Sequence, residues 1–328
     1  MSGWRGKRVL VTGAGGFIGS HLAERLVELG ARTRALVHYR SNGSWGWLER
    51  SPLKDEFEVL AGDVGDRESV AQATHDVEVV FHLAALIAIP YSYHVPASFV
   101  RTNVEGTLNV LQAAREAGVQ RLVHTSTSEV YGTARYVPID EEHPLQGQSP
   151  YAASKIGADK LAEAFCRSYE LPVVTVRPFN TFGPRQSSRA IVPTIITQCL
   201  TDSRIRLGSL SPIRDFNYVS DTVEGFLAAA AAPGVVGQTI NLGSGRGVGV
   251  GELAHAIAGL IGASITIEQE ESRIRPPQSE VERLVADHTR ARTLLGWSPS
   301  VPLEEGLRRT IEWMREHLDA YRPGVYVV

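Results

Sequence analysis

Short apolar runs alternate with amphipathic stretches over the first half of the chain. Arg8–Thr12 and Arg121–Thr125 are apolar runs of strand length, whereas Ile18–Leu29 repeats apolar residues every three or four positions, as a helix does. Strands that alternate with helices are joined by right-handed crossovers and build a parallel sheet covered on both faces. The pattern therefore predicts an α/β fold with a Rossmann-like, doubly wound parallel sheet. The other predicted strands are Ala35–Val37, Phe57–Leu60, Val79–Leu83 and Val173–Arg177, and the other predicted helices are Glu68–Thr74, Ala97–Ala117 and Ala152–Tyr169.

The alternation loosens after residue 177, where proline, glycine and serine become frequent. A chain of 328 residues has room for about two domains. We therefore expect residues 1–177 to form the sheet domain, with a later return of the chain to it near 215–242. Residues 178–328 are expected to form mainly a smaller C-terminal lobe.

Three glycines at intervals of three follow the first predicted strand and open the first predicted helix. They are Gly13, Gly16 and Gly19. Glycine lets the backbone turn tightly and approach a pyrophosphate, which is stabilised by the positive end of the helix dipole. The strand–turn–helix context thus predicts a dinucleotide site, to which Phe17 and Ile18 at the helix start also belong.

The end of the second predicted strand bears on which dinucleotide binds. An acidic residue usually grips the ribose hydroxyls of NAD at this place, but residues 35–42 contain none. Arg40 could meet a ribose 2′-phosphate, so the sequence slightly favours NADP over NAD, and His38 lies in the same segment. Further cofactor contacts are expected at the ends of the next two strands, from Asp63, Val64, Leu83, Ala84 and Ala85.

Tyr151 and Lys155 stand four positions apart at the start of a predicted helix, which places both side chains on one face. A free tyrosine titrates at about 10, so roughly one in a thousand is ionised at pH 7. A neighbouring ammonium stabilises the phenolate, and a pKa of about 7 would require roughly 4 kcal/mol. Such a tyrosinate can take a hydroxyl proton while a hydride leaves the same carbon for a nicotinamide.

The segment 125–132 has the sequence TSTSEVYG and ends a predicted strand. Together with the glycine turn and the tyrosine–lysine pair, it resembles the extended short-chain dehydrogenase/reductase family over nearly the whole chain. The resemblance implies that residues 1–177 bind NAD(P). It also implies that Tyr151 is the catalytic base, that Lys155 is its electrostatic and ribose-binding partner, and that the Thr127 hydroxyl bonds the substrate oxygen.

Three segments beyond residue 177 resemble those with which this family holds a nucleotide-activated sugar. In Arg177–Arg185 the resemblance implies that Asn180 binds the sugar diphosphate, and Arg185 is a further candidate. Arg214 and Arg275 resemble arginines that clasp the same phosphates. A guanidinium fork makes two charge-assisted bonds to phosphate oxygens. We therefore expect a nucleotide-sugar substrate in the C-terminal lobe.

Glu129 bears most directly on the type of reaction. It stands two positions after Thr127, so on an extended segment both side chains would point to one face. A carboxylate beside a 4-keto sugar can remove the C5 proton, after which the C6 hydroxyl leaves as water. The resemblance to family dehydratases, which carry Glu at this place, therefore predicts a 4,6-dehydratase.

Ser128 departs from one version of that pattern. At the place of residues 127–129, dTDP-glucose 4,6-dehydratases carry Thr-Asp-Glu, whereas GDP-mannose 4,6-dehydratases carry a comparable serine before the glutamate. The segments 125–155, 183–198 and 274–284 look most like the 4,6-dehydratases of the legionaminic acid pathway, which act on an N-acetylglucosamine nucleotide. UDP-glucuronate decarboxylase or 4-epimerase activity remains the alternative. A non-catalytic NADP sensor is a minor one, because such proteins typically lack the tyrosine or the lysine.

Composition excludes several other classes of protein. Lys and Arg number 33 and Asp and Glu 36, a balance that argues against a nucleic-acid binder. Cys166 and Cys199 are the two cysteines, too few for a disulfide framework, and no spacing predicts a metal site. No apolar run reaches the roughly 18 residues of a membrane span. We expect a cytoplasmic enzyme, and the resemblance implies a homodimer built on the helices Ala97–Ala117 and Ala152–Tyr169.

Overall fold

The protein is described by a computed structural model that covers residues 3–321. Its strands are β1 Arg8–Thr12, β2 Arg32–His38, β3 Glu58–Gly62, β4 Val79–His82, β5 Arg121–Thr125, β6 Val173–Pro178, β7 Asn180–Phe182, β8 Arg204–Leu207, β9 Ile213–Tyr218, β10 Thr239–Leu242, β11 Gly247–Gly249, β12 Thr266–Gln269 and β13 Arg283–Leu284. Its helices are α1 Phe17–Glu28, α2 Arg67–Thr74, α3 Ile89–His94, α4 Pro96–Phe99, α5 Gly106–Glu116, α6 Pro150–Tyr169, α7 Ile191–Thr201, α8 Val219–Ala231, α9 Val250–Ile261, α10 Thr289–Leu295 and α11 Leu303–Glu316.

Seven strands form the central sheet in the order β3-β2-β1-β4-β5-β6-β10. Every neighbouring pair in this sheet is parallel. Because the order reverses between β1 and β4, the carboxyl ends of these two strands open a crevice in which doubly wound folds bind ligands. The predicted Rossmann-like sheet is confirmed.

The apolar character of the strands places a core on each face of the sheet. Val9 and Val11 of β1 belong to one buried cluster, whereas Leu10 between them belongs to a second cluster on the opposite face. Successive side chains of a strand point to opposite faces, so a strand covered on both sides is apolar at every position. This is why the strands appear as short continuous apolar runs in the sequence.

The long helix α6 carries the predicted tyrosine–lysine pair, and its start is fixed by local chemistry. The Ser149 hydroxyl accepts a hydrogen bond from the Ala152 amide at 3.1 Å, and Pro150 occupies the first helical position. Both features are typical of a helix N-terminus. As a result, Tyr151 lies in the first turn of the helix, next to the carboxyl end of β5.

The predicted helix Ala97–Ala117 is interrupted in the structure. Helix α4 runs into a π-helical turn at Val100–Glu105 before α5 begins. Inside this turn Asn103 is buried and donates to the Leu86 carbonyl at 2.9 Å, while its side-chain oxygen accepts from the Leu86 amide at 2.8 Å. Asn103 thereby attaches the helix to the segment that follows β4.

The chain beyond β6 divides between the central sheet and smaller sheets. β10 completes the central sheet beside β6, whereas β9 pairs with β7, β11 and β13 in a separate sheet. Residues 213–218 therefore belong to the smaller sheet, and the strand that returns to the main sheet is β10. Within the described residues, no helix is both long and apolar enough to cross a membrane.

Asp221 of α8 joins the helical layer to the C-terminal segment. Its buried carboxylate accepts hydrogen bonds from the Ser300 amide at 2.9 Å, the Ser300 hydroxyl at 2.6 Å and the Val301 amide at 2.9 Å. Replacing Asp221 by Ala removes three hydrogen bonds to the C-terminal segment, each worth about 1 kcal/mol. We therefore expect Asp221→Ala to lower the free energy of unfolding by about 3 kcal/mol, measured by urea denaturation. The control Asp55→Ala, at an exposed carboxylate, should change it by less than about 0.5 kcal/mol; an equal effect of both variants would contradict this role.

Candidate active site

Tyr151 and Lys155 are both buried on the face of α6 that meets the end of β5. The Lys155 ammonium donates to the Thr125 carbonyl at 2.6 Å. That carbonyl is the last of β5, so the strand end fixes the position of the lysine. Burial lowers the pKa of Lys155 to about 8, and the negative charge of Asp159 opposes that shift.

The Thr127 hydroxyl reaches the catalytic candidates from the same strand end. It hydrogen-bonds the Tyr151 phenol and also accepts from the Glu129 amide at 3.2 Å. Residues 128–131 form a 3-10 turn capped by Thr127. The expectation that Thr127 and Glu129 lie on an extended segment is therefore wrong, because the capping hydroxyl starts a helical turn directly after the strand.

The pKa of Tyr151 differs from the expectation that a neighbouring ammonium lowers it. Burial raises the pKa of Tyr151 well above its ordinary value, and the hydrogen bond from Thr127 opposes the rise. The negative charges of Glu129 and Asp159 raise the pKa further. The protein by itself therefore holds Tyr151 as a neutral phenol that can donate a proton.

Glu129 lies between the proton-transfer pair and the predicted phosphate-binding residues. Its charge raises the pKa of Tyr151 on one side and acts on buried Arg214 on the other, where it opposes the lowering caused by burial. The Glu129 side chain is half-buried, whereas Ser128 beside it is buried. The structure thus brings a carboxylate close to both ends of the predicted site.

Arg214 and Arg275, the two arginines predicted to bind phosphate, both pair with one carboxylate. Glu280 lies 3.5 Å from the Arg214 guanidinium and 3.6 Å from that of Arg275. A phosphate group would interact with the same two guanidinium groups. Sequence reasoning missed Glu280, and the available signal was an acidic residue five positions after Arg275.

Asn180 and Arg185 are placed differently from one another. The buried side-chain oxygen of Asn180 has no hydrogen-bond partner within the part of the chain that the structure describes. Arg185 instead makes a bidentate ion pair with Glu24 of α1, with both distances 2.9 Å, and bonds the Ser20 hydroxyl at 3.2 Å. In this structure Arg185 joins α1 to the segment after β7, and its role as a substrate ligand stays a prediction.

The glycine turn is shaped by close backbone contacts. A Cβ on Gly13 would lie 2.9 Å from the Ala84 backbone, and Gly13 has φ +70°. A Cβ on Gly19 would lie 2.3 Å from the Gly13 carbonyl oxygen. Gly16 precedes α1 and supplies no side-chain cap, so the amides at Phe17 and Ile18 begin the helix without one. These features fit a pyrophosphate, which needs close approach to backbone amides.

The strand ends beside the glycine turn are tied together by Thr12. Its hydroxyl accepts from the amides of Leu83 and Ala84, both at 3.1 Å, at the point where β4 ends. These bonds hold Leu83 and Ala84, followed by Ala85, against the turn. The contacts of Leu83, Ala84 and Ala85 with a cofactor stay predictions.

The predicted adenosine end of the site is exposed. Asp63 accepts from the Gly65 amide at 2.8 Å and lies 3.6 Å from His38, and Val64 beside it is buried. Arg40 follows β2 with an exposed side chain. The assignments of His38, Arg40, Asp63 and Val64 to a cofactor stay predictions. Within the described residues, no cluster of histidine, cysteine or carboxylate side chains could hold a metal ion.

Residues 10–310 match the family described as GDP-mannose 4,6 dehydratase. A UDP-glucose 4-epimerase of Mycolicibacterium smegmatis is 38% identical over 94% of this chain and 98% of the relative. The chain belongs to the nucleotide-sugar dehydratase and epimerase family of extended short-chain dehydrogenases/reductases. The family prediction is confirmed.

Other members of the nucleotide-sugar dehydratase and epimerase family catalyse different reactions. UDP-glucuronic acid decarboxylase 1 of Xenopus tropicalis is 32% identical over 98% of this chain and 75% of the relative. The crystal structure of DesIV, a dTDP-glucose 4,6-dehydratase from Streptomyces venezuelae with NAD bound, has a TM-score of 0.87 and 31% identity over 96% of this chain and 99% of that chain. The family thus establishes the fold, and its members act on different nucleotide-linked sugars by different reactions.

Three aromatic and apolar side chains around Tyr151 extend the site beyond the predicted residues. Ile89 and Phe99 form a buried cluster with Tyr151, and the Phe99 and Tyr151 rings meet edge to face at 6.2 Å. Tyr93 packs against this cluster and bonds the Ser279 hydroxyl at 2.6 Å. The sequence pattern does not predict α3, which is too short to show a helical repeat.

The glycine turn yields a matched pair of variants. Gly19→Ala places a methyl group 2.3 Å from the Gly13 carbonyl and must open the turn. We expect NAD and NADP affinity to fall on the order of tenfold or more, a loss of about 1.4 kcal/mol, in calorimetric titrations. Gly259→Ala, on the open face of another helix, should leave both affinities unchanged. Unaltered cofactor affinity in Gly19→Ala would contradict the assignment of this turn.

Proposed function

We propose that the protein is a nucleotide-sugar 4,6-dehydratase, a lyase that acts on UDP- or GDP-N-acetylglucosamine. The observation that carries the proposal is the position of the Glu129 carboxylate, which acts electrostatically on both Tyr151 and Arg214. A base is thereby available between the group that exchanges the O4 proton and the group that holds the diphosphate. Such a base is what removal of the C5 proton requires.

The cofactor of the proposed reaction is NAD or NADP. The nicotinamide would supply hydride transfer: a hydride taken from C4 would be returned at C6 while C5 takes a proton from solvent, so that no net reduced cofactor accumulates. The turn of Gly13, Gly16 and Gly19 would hold its pyrophosphate. Exposed Arg40 after β2 favours NADP, and calorimetric titration with each cofactor measures that preference.

Tyr151 and its neighbours exchange the O4 proton. As the phenolate, Tyr151 accepts the proton of the sugar hydroxyl while C4 becomes a ketone. The Thr127 hydroxyl holds the same oxygen, and the Lys155 ammonium stabilises the phenolate through its positive charge. Burial raises the pKa of Tyr151 in the protein alone, and the positive charge of a bound nicotinamide would lower it.

Glu129 then removes the proton at C5. The C4 ketone acidifies that carbon, and the electron pair expels the C6 hydroxyl as water. The departing hydroxyl needs a proton. Ser128 directly precedes Glu129 in the sequence, and we propose that its hydroxyl relays this proton. Meanwhile Asn180, Arg214 and Arg275 hold the diphosphate, replacing the contacts that both arginines make with Glu280.

A second candidate is a 4-epimerase, and the 38% identity to a UDP-glucose 4-epimerase favours it. Both reactions begin with oxidation at C4. Epimerisation continues with rotation of the keto sugar and needs no base at C5. UDP-glucuronate decarboxylation breaks a carbon–carbon bond at C5 and likewise needs no C5 deprotonation. Removal of this proton therefore separates dehydration from both alternatives, and loss of carbon dioxide separates decarboxylation from epimerisation.

We also propose that the protein is a homodimer. Val100 and Tyr169 are exposed on the two helical segments that the resemblance assigns to the interface. Light scattering should give twice the chain mass of 35.7 kDa.

Removing the Tyr151 hydroxyl tests the acid–base assignment. Tyr151→Phe keeps the edge-to-face contact with Phe99 but removes the group that exchanges the O4 proton. We expect the turnover rate to fall on the order of a hundredfold or more. Substrate affinity, measured by calorimetry, should change much less, because Asn180 and Arg214 are untouched. Near-normal turnover would exclude Tyr151 as the proton acceptor.

Deuterium exchange tests the role of Glu129. With UDP-N-acetylglucosamine in D₂O, the product should have lost water and gained one deuterium at C5, as read by mass spectrometry and proton NMR. Glu129→Gln keeps the side-chain shape and removes the base, so it should abolish water loss. Reversible reduction of bound cofactor at C4 should persist in that variant, because Tyr151 and Lys155 remain.

A C4 epimer formed without loss of water would reject the dehydratase assignment in favour of the 4-epimerase. Carbon dioxide released from UDP-glucuronate would reject it in favour of the decarboxylase.

A further inference from the structure

Asp159 is a buried carboxylate one helical turn after Lys155 on α6. One of its oxygens accepts from the His124 ring at 3.1 Å, and the other accepts from the Ser126 hydroxyl at 2.8 Å and from Arg177 at 2.9 Å. A carboxylate removed from water is costly unless it is paired and hydrogen-bonded. This set of donors holds the pKa of Asp159 at about 2, so the group is charged at every working pH.

The hydrogen bond from Ser126 links Asp159 to the catalytic segment. Ser126 lies between Thr125, whose carbonyl accepts from the Lys155 ammonium, and Thr127, whose hydroxyl bonds Tyr151. Asp159 is thus attached to the three-residue strand end on which the candidate acid–base groups depend. The helix spacing places Tyr151, Lys155 and Asp159 in one row, four residues apart.

The buried groups of the neighbouring strands that face this row carry either positive charge or none. Burial lowers the pKa of His124 on β5 and of His82 on β4, so both rings are neutral. Arg177 on β6 is positive and bonds both Asp159 and the Tyr131 phenol, the latter at 3.0 Å.

Two further carboxylates lie at the margins of the row. Glu163, one turn further along α6, pairs with surface Lys160 and Arg167. Glu129 acts on Tyr151 and Arg214 from the opposite side of the row.

We propose that Asp159 is a positioning residue that keeps Lys155 protonated, as the buried negative charge that faces the ammonium from within the protein. Lys155 is almost fully buried and bonds a neutral carbonyl, so its charged form needs an opposite charge nearby. Arg177 and the neutral histidines cannot provide one. Asp159 acts through Lys155 and does not touch the reacting atoms.

A counter-charge and a structural anchor at position 159 have different effects on Lys155. A structural anchor would be replaceable by a neutral side chain of the same shape without any effect on Lys155. A counter-charge would not, because a nearby opposite charge favours the charged form, by about 1–3 pKa units for a close pair. The pKa of Lys155 is therefore the quantity to measure.

The chain suits that measurement because it has four lysines, namely Lys7, Lys54, Lys155 and Lys160. Protein labelled with ¹³C at the lysine Cε position should give four signals by NMR. The Lys155 signal is identified by its loss in Lys155→Met. Its titration reports the pKa of Lys155 with no substrate and no turnover, so the result does not depend on which reaction the enzyme catalyses.

The decisive variant is Asp159→Asn. We expect the pKa of Lys155 to fall by about one unit or more while the other three lysines are unchanged. The matched control is Glu163→Gln, which removes a half-exposed carboxylate from the same helix and should leave Lys155 unchanged. The double variant Asp159→Asn/Arg177→Gln replaces the buried ion pair by an amide pair and serves if the single variant does not fold.

The kinetic readout rests on the proposed function. Because the reaction needs the ammonium, the rate should fall as pH rises through the pKa of Lys155, which lies near 8. In Asp159→Asn that fall should move down by about one pH unit or more. An unchanged Lys155 titration in a folded Asp159 variant would overturn the proposal. A lowered pKa with no dehydration by the wild type would instead reject only the proposed function.

Discussion

The Lys155 ammonium is held inside the protein against the last carbonyl of β5, and the acid–base end of the site depends on keeping that charge there. Burial alone lowers the pKa of Lys155 towards the physiological range. The fold offsets this loss of charge because β5, β6 and α6 meet at one edge of the parallel sheet. There the Thr125 carbonyl and the Asp159 carboxylate both act on the lysine. The same strand end supplies Thr127, so the Lys155 charge and the Thr127 hydroxyl that bonds Tyr151 share one support.

The site separates a general step from a specific one. In the proposed mechanism, oxidation at C4 uses Tyr151, Lys155 and Thr127, and epimerisation, decarboxylation and dehydration all begin with that oxidation. The outcome then depends on what stands beside C5. Glu129 acts electrostatically on both Tyr151 and Arg214, and we propose that its carboxylate removes the C5 proton.

The elements with local signals were predictable from sequence. β1 and β5 have the predicted bounds, and the glycine turn and the Tyr151–Lys155 pair lie where their spacing places them, because strand, turn and helix chemistry act over a few residues. Partners distant in sequence were not predictable. Arg185 meets Glu24, which lies 161 positions away, and no local pattern encodes that pairing. The 3-10 turn after β5 was missed because the Thr127 cap competes with an extended continuation of the strand.

The most direct test of the account is a mass-spectrometric screen of the purified protein with UDP-, GDP- and dTDP-linked sugars. The account predicts that an N-acetylglucosamine nucleotide loses one molecule of water, with no lasting accumulation of reduced cofactor. A product of unchanged mass with an inverted C4 centre, or loss of carbon dioxide from UDP-glucuronate, would contradict it.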